Sequence, residues 1–310
     1  MDINYELYKV FFHVAKTLSF SDASKELYIS QSAVSQSIKT LEKRLNQTLF
    51  IRSTKRVKLT KEGELLFKHI EPAIHLIIRG ENQIIEGHSL SGGQLRIGAS
   101  DTICRYYLVP FLKTFHNRYP NVHIKIINGT SLKCVELLET NQVDLIVTNS
   151  PNMRLNSIQH TRVIAEFSDV FVVNKALFPD IEQTVSLQIL QTYPILMLDK
   201  QSATSQYLHH IFLQHQLDLV PAIELSSNDL LIDLAKIGLG IAFVPDFCVQ
   251  SNHTDLTILE TKEKLPKRKL VAAYSEHIPL SVATSYFLES LSRNIQKNHL
   301  SENYHETESF

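Results

Sequence analysis

The sequence has no tryptophan, and only 9 of its 310 residues are glycine and 10 are proline. So little glycine and proline excludes collagen-like and low-complexity chains. The three cysteines, Cys104, Cys134 and Cys248, are too few and too scattered for a disulfide framework or a four-ligand metal site, which indicates a reducing compartment. No apolar run approaches the roughly 18 residues that a membrane span requires, so we expect no transmembrane helix and no secretory signal. These absences predict a cytoplasmic protein.

What the chain does contain predicts a globular protein of two domains that differ in charge. Apolar residues make up 44% of the chain and charged residues 20%, enough for a buried core in each domain. The first 60 residues, the basic head, hold ten Lys and Arg against five Asp and Glu, whereas the remainder holds 21 against 27. A basic head on an acidic body points to an anionic partner for the head alone.

Three helical patterns occupy the first 45 residues. Apolar residues recur at three- and four-residue steps from Leu7 to Leu18, Ser21 can cap a short second helix, and Ser30 can cap a third. The apolar positions of the third helix turn inward, which leaves an outward polar and basic face of Ser32, Ser35, Gln36, Lys39 and Lys43. This is the helix-turn-helix layout, in which the longer helix enters the major groove of DNA. On the pattern alone, an ordinary solvated helix face is an equal alternative.

The residues that follow favour the DNA-binding interpretation. Two strand-like segments, Leu49-Phe50-Ile51 and Val57-Lys58-Leu59, flank a basic tip over 52–56. This pattern predicts a wing that places Arg52, Lys55 and Arg56 beside the DNA backbone or minor groove, where they add salt-dependent affinity.

Five segments of the head also carry a resemblance to a known family. They are Ser19-Phe20-Ser21-Asp22-Ala23, Gln31-Ser32-Ala33-Val34-Ser35-Gln36-Ser37-Ile38, Leu41-Glu42, Leu49-Phe50-Ile51-Arg52 and Leu59-Thr60-Lys61-Glu62-Gly63. In this order they resemble the N-terminal domain of LysR-type transcriptional regulators, which are bacterial and form homodimers or homotetramers. The chain departs from the family at Ser24, where a second Ala is usual, and at Glu62, where a small residue is common. The candidate DNA-binding residues are Ser30, Gln31, Ser32, Ser35, Gln36, Lys39, Lys43, Arg52, Lys55 and Arg56.

A long helical pattern follows the head. From Thr60 to about residue 87, apolar residues at coiled-coil spacing predict a dimer seam of Leu66, Ile70, Ala73, Ile77 and Ile84. Pro72 removes one intrahelical hydrogen bond, so we expect a kink or loosening near 68–72. The alternative is a helix packed on its own domain. We favour a dimer, and by resemblance a dimer of dimers, because one recognition helix reads only a half-site.

After a predicted hinge at 89–93, strands and helices alternate. Strands at 94–99, 122–127 and 143–147 with intervening helices form a βαβαβ unit, and a similar series runs from 169 to 244. A return strand at 270–274 and a helix at 281–294 rejoin the first lobe. The predicted fold class is α/β multidomain: an N-terminal all-α winged helix-turn-helix, a linker helix, then a two-lobed α/β effector domain that resembles periplasmic binding proteins.

The predicted domains are residues 1–60 for the winged helix-turn-helix, 61–92 for the linker helix and hinge, and 93–296 for the effector-binding domain. Within that domain, lobe 1 covers about 93–165 and 268–296, and lobe 2 covers about 166–267. Residues 297–310 form a polar tail that we expect to be disordered.

Polar residues that follow the strands predict a binding cleft between the lobes. The candidate effector-binding residues are Ser100, Asp101, Thr102, Thr130, Ser131, Thr148, Asn149, Ser202 and Thr204. Hydroxyls and backbone N–H groups at helix starts suit a small anion, while Asp101 would oppose an anion or select one that also carries an amine or a metal. Each Ser or Thr has an alternative role as a simple helix cap.

Other chemistries are weaker. Cys104 and Cys134 lie near helix starts, where a thiolate would be stabilised, so redox sensing is conceivable, although a buried apolar role is commoner. His209, His210 and His215 lack the spacing of metal ligands, and we read them as surface residues.

The enzyme interpretation finds no G-x-S-x-G, P-loop, H-E-x-x-H or dinucleotide motif, so we expect no catalytic residues, no metal and no cofactor. A solute receptor that does not bind DNA conflicts with the basic head. The sequence therefore predicts a regulator that binds double-stranded DNA and itself, and responds to a small effector, for which an anion is one candidate.

Overall fold

The computed structural model describes residues 3–52, 56–86, 93–152, 154–155, 159–249, 255–275 and 278–292. Lys55, most of the predicted hinge and the predicted tail lie outside these ranges. The chain forms two compact units, one built on the segment up to residue 85 together with 139–142, and the other on the rest of the chain from residue 86 onwards.

The N-terminal unit begins with the three predicted helices and a wing. Its elements are α1 (Tyr5–Thr17), α2 (Phe20–Leu27), α3 (Gln31–Leu45), β1 (Phe50–Arg52), β2 (Val57–Leu59) and α4 (Lys61–Glu86). Val34, Ile38 and Leu41 are fully buried against the core of α1 and α2, as the periodicity predicted. The wing strands pair antiparallel, with Ile51 opposite Lys58.

One cap differs from the prediction. Ser19, not Ser21, caps α2, and its Oγ accepts the backbone N–H of Asp22 at 3.1 Å. Because the helix starts two residues earlier than predicted, Phe20 is its first residue and packs in the core, where it is only 9% exposed. The cap of α3 is as predicted, because Ser30 accepts the N–H of Ala33 at 3.2 Å.

Helix α4 packs on its own unit at some positions and exposes its residues at others. It begins at the predicted cap Thr60, whose Oγ1 accepts the N–H of Gly63 at 2.9 Å, and it continues through Pro72 to residue 86. Two of the five predicted seam residues, Leu66 and Ile70, instead pack on the core of their own unit. The other three, Ala73, Ile77 and Ile84, are exposed. The alternative of a helix packed on its own domain therefore holds for Leu66 and Ile70, and Ile74 and Arg79 in the second half of α4 are buried as well.

The second unit has two α/β lobes. Its elements are β3 (Gln94–Ala99), α5 (Asp101–Ile103), a π-helical turn (Cys104–Leu108), α6 (Val109–Arg118), β4 (His123–Asn128), α7 (Ser131–Glu139), β5 (Leu145–Ser150), β6 (Gln159–Phe167), β7 (Asp169–Val173), β8 (Thr184–Val185), α8 (Leu187–Leu190), β9 (Ile195–Leu198), α9 (Ala203–Gln214), β10 (Ile223–Leu225), α10 (Asn228–Lys236), β11 (Ile241–Pro245), a 3-10 turn (Asp246–Cys248), β12 (Thr257–Thr261), β13 (Arg268–Ser275) and the final helix α11 (282–292).

Each lobe is a sheet with helices on both faces. In the first lobe the strand order is β4-β3-β5-β13-β6, with α6 and α11 packed on one face and α7 on the other. In the second lobe the order is β10-β9-β11-β7-β12-β8, with α8 and α9 on one face and α10 on the other. This layering places the start of α5, α7, α9 and α10 at the carboxyl ends of the parallel strands.

The sheets are mixed, not purely parallel as predicted. Strand β13 runs antiparallel to both β5 and β6, and β7 runs antiparallel to β11 and β12. The prediction missed β6, β8, β12 and α8. Strand β6, at the edge of its sheet, begins with four polar residues, and β8 has only two residues, so neither has the continuous apolar run of a central strand.

The chain crosses between the lobes twice. The first crossing is at Ser168, the single residue between β6 and β7, and the second is the segment 262–267 between β12 and β13. Thr148 and Asn149 end β5 but do not lie at a crossing between the lobes, since β5 is followed by β6 in the same sheet. Two short crossings of this kind permit a hinge motion of one lobe against the other.

A recognition face and an inter-lobe cavity

The outward face of α3 presents the predicted polar and basic side chains. Gln31, Ser32, Gln36, Lys39 and Lys43 are exposed, and Ser35 is half-buried. Because Val34, Ile38 and Leu41 fix the inner face, these side chains cannot turn inward without unpacking the core. Ser30 is also exposed, and its Oγ lies 2.9 Å from that of Ser32. The face carries hydroxyl, amide and ammonium groups, the groups that read base edges and contact phosphates.

Arg52 joins the wing to this face. Its Nη1 donates to Oγ of Ser35 at 3.1 Å, its Nη2 lies 3.6 Å from Oε2 of Glu42, and its guanidinium stacks 4.5 Å from the ring of Phe20. The side chain remains 35% exposed. The prediction placed Arg52 on a phosphate, and these contacts give it a second role of fixing the wing against α3. Arg56 is exposed immediately before the second wing strand.

The prediction did not single out Glu42 for a role of its own. Its Oε1 accepts the N–H groups of Leu49 and Phe50 at 2.8 and 3.3 Å, so it ties the end of α3 to the first wing strand. The signal in the sequence that could have identified Glu42 is its negative charge. An acid on a helix expected to face phosphates needs a cation or buried donors to offset its repulsion.

A cavity of about 330 Å³ lies between the two lobes of the second unit. Eight of the nine predicted effector-binding residues line it: Ser100, Asp101, Thr102, Thr130, Ser131, Asn149, Ser202 and Thr204. The ninth, Thr148, does not line it. Thr148 is fully buried inside β5, where its Oγ1 accepts from Nδ2 of Asn152 at 3.5 Å. Side chains alternate between the two faces of a strand, so Asn149 and Thr148 point in opposite directions.

Several hydroxyls of the cavity also cap helices. Oγ of Ser100 accepts the N–H of Ile103 at 3.3 Å, and Oγ of Ser202 accepts the N–H of Ser205 at 2.9 Å. Oγ1 of Thr130 accepts the N–H of Lys133 at 3.3 Å. The capping role and the cavity position therefore coexist. Since each oxygen accepts from its helix, the hydroxyl proton is available to donate into the cavity.

The prediction missed eleven further lining residues. Among them are Asn128, Asp199, Ser226, Ser227, Asn228 and Phe247. The expectation that polar residues at strand ends line the cleft applies to several of these as well, because Asn128 ends β4, Asp199 follows β9, and Ser226 follows β10. No comparable clue marks Phe247, which reaches the cavity from the turn after β11.

Side chains from the two lobes meet beside the cavity. Nδ2 of Asn228 in lobe 2 donates to Oγ1 of Thr102 in lobe 1 at 2.9 Å. The hydroxyl of Tyr106 donates to Asp229, and Nη1 of Arg105 lies 3.4 Å from the same carboxylate. Burial and the bond to Asp229 raise the pKa of Tyr106, so its hydroxyl stays protonated and donates. These contacts connect the start of α10 to the π-helical turn across the cleft.

A buried charge lies behind the cavity wall at the second crossing. Arg268, 1% exposed, donates from Nη1 to Asp169 at 2.8 Å and to Oγ1 of Thr204 at 3.0 Å. Asp169 begins β7 at the first crossing, so this pair joins the two crossings, and Thr204 connects the pair to the cavity. Burial raises the pKa of Asp169, and the neighbouring guanidinium opposes that rise.

The cysteines do not have the environment that redox chemistry requires. Burial, helped by the charge of Asp101, raises the pKa of Cys104 to about 11, and burial raises that of Cys134 to about 12. These shifts do not support the expectation that helix starts stabilise their thiolates, because burial favours the neutral thiol. Within the described ranges no group of three His, Cys, Asp or Glu could hold a metal ion. His209 is only half-exposed, with a buried Nε2, so the prediction of a surface residue was wrong for it.

No helix in the described part of the chain is long and apolar enough to span a membrane. Comparison with known families gives two successive matches. Residues 5–64 match the model described as bacterial regulatory helix-turn-helix protein, lysR family, and residues 88–296 match the LysR substrate binding domain. Together they cover most of the chain.

Curated relatives and solved structures agree with these matches. A probable RuBisCO transcriptional regulator from Gracilaria tenuistipitata var. liui is 30% identical, over 74% of this chain and 76% of its own length. The HTH-type transcriptional regulator CysL from Bacillus subtilis (strain 168) is 25% identical, over 94% and 98%.

Two solved structures share the fold along nearly the whole chain. The LysR family regulator CbnR superposes with a TM-score of 0.66 at 17% identity, over 94% of this chain and 99% of its own. A full-length OxyR from Pseudomonas aeruginosa gives 0.71 at 18% identity, over 96% and 95%. With a winged helix-turn-helix, a linker helix, a two-lobed α/β domain and a family match over both regions, the chain belongs to the LysR family of transcriptional regulators.

Proposed function

We propose that this regulator binds double-stranded DNA as a dimer through α3 and the wing, and that a small molecule in the inter-lobe cavity controls it. The observation that carries the proposal is the exposed polar and basic face of α3, which the core beneath it holds outward. A solved structure of full-length CbnR in complex with its target DNA supports DNA binding for a protein of this fold.

We assign one function to each region, with the predicted domain boundaries. Residues 1–60 read DNA, 61–92 form the linker and hinge, and 93–296 bind the effector. Lobe 1 takes 93–165 and 268–296, and lobe 2 takes 166–267. The two sheets support this division, because every strand between Asp169 and Thr261 belongs to the second-lobe sheet. We propose a cytoplasmic protein that acts by binding alone, without catalysis.

The effector site is proposed to be the cavity itself. Ser100, Thr102 and Thr130 from lobe 1 and Ser202 and Thr204 from lobe 2 face the same space. A ligand that bonds to both sets stabilises one relative position of the lobes, and the crossings at Ser168 and 262–267 transmit that choice to the rest of the chain. The helix starts around the cavity favour an anionic group on the ligand.

The test separates base recognition by α3 from phosphate contact by the wing. Gln36→Ala removes a base-reading amide, so discrimination between the selected operator and random duplex should fall by about tenfold, with little change in affinity for random DNA. Arg52→Ala should weaken both duplexes alike and reduce the salt slope by about one. The matched control is Gln214→Ala, an exposed Gln on α9 of the other unit. Selection from a random duplex library, followed by anisotropy titrations, measures both quantities.

Two results would contradict the assignment. Unchanged discrimination in Gln36→Ala would remove this residue from the reading face. An effect of the Gln214→Ala control as large as that of Gln36→Ala would show that the assay reports general stability and not recognition.

A further inference from the structure

The charges that line the cavity do not match a simple anion. Among the described residues that line it there is no Lys, Arg or His, yet two carboxylates, Asp101 and Asp199, are present, one from each lobe. A ligand with only negative charge would have to approach both without a side-chain cation in the lining to offset them. The cavity therefore needs a positive or hydrogen-donating group from the ligand.

Both carboxylates have bonding capacity left. Oδ1 of Asp101 accepts from Nδ2 of Asn128 at 3.3 Å, and Oδ1 of Asp199 accepts the N–H of Gln201 at 2.9 Å. Each contact occupies one oxygen of the pair, and neither carboxylate has an ion-pair partner in the part of the chain that the structure describes. An ionised carboxylate accepts up to about four hydrogen bonds.

A buried amide gives a second, independent indication. Asn228 lines the cavity and is only 4% exposed, and its Nδ2 is used on Thr102. Its Oδ1 is buried and has no hydrogen-bond partner within the described ranges, and the same holds for Oδ1 of the lining residue Asn149. Buried acceptors without a donor are uncommon and unfavourable, so a ligand that donates hydrogen bonds would satisfy them.

The helix starts supply the opposite preference. Helices α7, α9 and α10, of nine, twelve and nine residues, all begin at the cavity wall. Their unpaired backbone N–H groups and dipoles favour a carboxylate.

The cavity therefore combines acceptors that lack hydrogen-bond donors with helix starts that favour an anion. This combination matches a molecule that carries both a positive and a negative charge. We propose that the effector is a small zwitterion of the α-amino-acid type. Its ammonium group bonds to the carboxylates of Asp101 and Asp199 and to Oδ1 of Asn228, and its carboxylate faces the helix starts. A cavity of about 330 Å³ has the size for such a ligand. This inference rests on the proposed effector site.

The test compares ligands that differ at the ammonium group alone. The full-length protein is screened by thermal shift and calorimetry with the twenty L-α-amino acids and with their 2-hydroxy acid analogues, in which a hydroxyl replaces the ammonium. We expect at least one amino acid to bind at least about tenfold more tightly than its analogue, since a charged hydrogen bond is lost. Asp101→Asn or Asp199→Asn should remove that preference, and Asp218→Asn, an exposed acid elsewhere in the second lobe, should not.

Two kinds of failure are distinguishable. If 2-hydroxy acids bind as tightly as amino acids, if no amino acid binds, or if neither Asn variant changes the preference, the zwitterion inference is overturned. A cavity-filling Ser226→Trp variant tests the site itself, because Ser226 is exposed at the cavity rim and tolerates a larger side chain. Ligand binding that survives in Ser226→Trp would overturn the proposed effector site as well.

Discussion

Single buried residues set the stability of the region behind the cavity. Arg268 is enclosed by the carboxylate of Asp169, the hydroxyl of Thr204 and the rings of Phe167 and Tyr207, whose centroids lie 5.3 and 4.9 Å from its guanidinium carbon. A guanidinium without a counter-charge in such surroundings is strongly unfavourable. The pair Arg268 and Asp169 is therefore far more sensitive to loss of one member than any surface ion pair of the chain.

Asp169→Asn should lower the free energy of unfolding of the second unit by about 3–5 kcal/mol, because it leaves a buried positive charge unpaired. The matched control is Asp233→Asn, which breaks an exposed pair with Lys236 of 3.0 Å and should lose less than about 1 kcal/mol. Urea denaturation followed by circular dichroism measures both, since the chain has no tryptophan. Equal losses in the two variants would contradict the account of the buried pair.

Cys104 should react slowly with alkylating agents in the folded protein. Its pKa of about 11 leaves it protonated from pH 7 to 9, and reactivity should rise only as the pH approaches that value. At pH 7.5 the folded chain should be alkylated by iodoacetamide roughly a hundredfold more slowly than a free thiol of ordinary pKa, and unfolding in urea should restore the ordinary rate. Mass spectrometry of the labelled peptide reads the site. A native rate equal to that of free cysteine would reinstate a reactive thiol.

At the scale of elements, α4 makes the proposed dimer testable. Leu66 and Ile70 are covered by their own unit, whereas Leu76, Ile77 and Ile78 are each more than 40% exposed on consecutive positions. Adjacent exposed apolar side chains on a helix mark an interaction surface. The exposed apolar positions of α4, which are Leu76, Ile77, Ile78 and Ile84, are therefore the part left for a partner helix.

Ile77→Glu should shift the protein from dimer to monomer and weaken operator binding by about a hundredfold or more, because each half-site is then read alone. Leu213→Glu on α9 is the matched control, since Leu213 is also an exposed apolar residue, at 67%. Analytical ultracentrifugation gives the oligomeric state. A dimer that persists in Ile77→Glu would place the interface elsewhere.

The elements also show what the sequence can predict. The apolar periods of α1 to α3 and of the central strands β3, β9 and β11 located these elements to within about two residues. Edge strand β6 was not predicted, because its exposed polar residues interrupt the apolar run. The Ser19 cap was not predicted, because Phe20 was not recognised as a core residue. The local sequence does not specify strand β6 or the Ser19 cap, since both depend on which neighbouring element covers their residues.

At the scale of the whole molecule, the order of elements predicted two lobes, and the structure corrected how they connect. The expectation that polar residues following the strands line the cleft was correct for eight of the nine candidates. It was wrong for Thr148, because it does not say toward which face of the sheet a strand residue points. The contacts of Asn228 with Thr102 and of Asp229 with Tyr106 join residues more than 120 positions apart, and no local pattern predicts them.

The most direct test of the central claim is binding of the full-length protein to the DNA upstream of its own gene, measured by anisotropy over a salt series beside a scrambled duplex. The account predicts much tighter binding to the native sequence, by about a thousandfold, and a log–log salt slope of roughly −5 or steeper, as several Lys and Arg contact phosphates. A selected operator replaces the upstream DNA if the native site lies elsewhere. Equal affinity for selected and scrambled duplexes, with a shallow slope, would contradict the assignment of α3 and the wing as a sequence-reading surface.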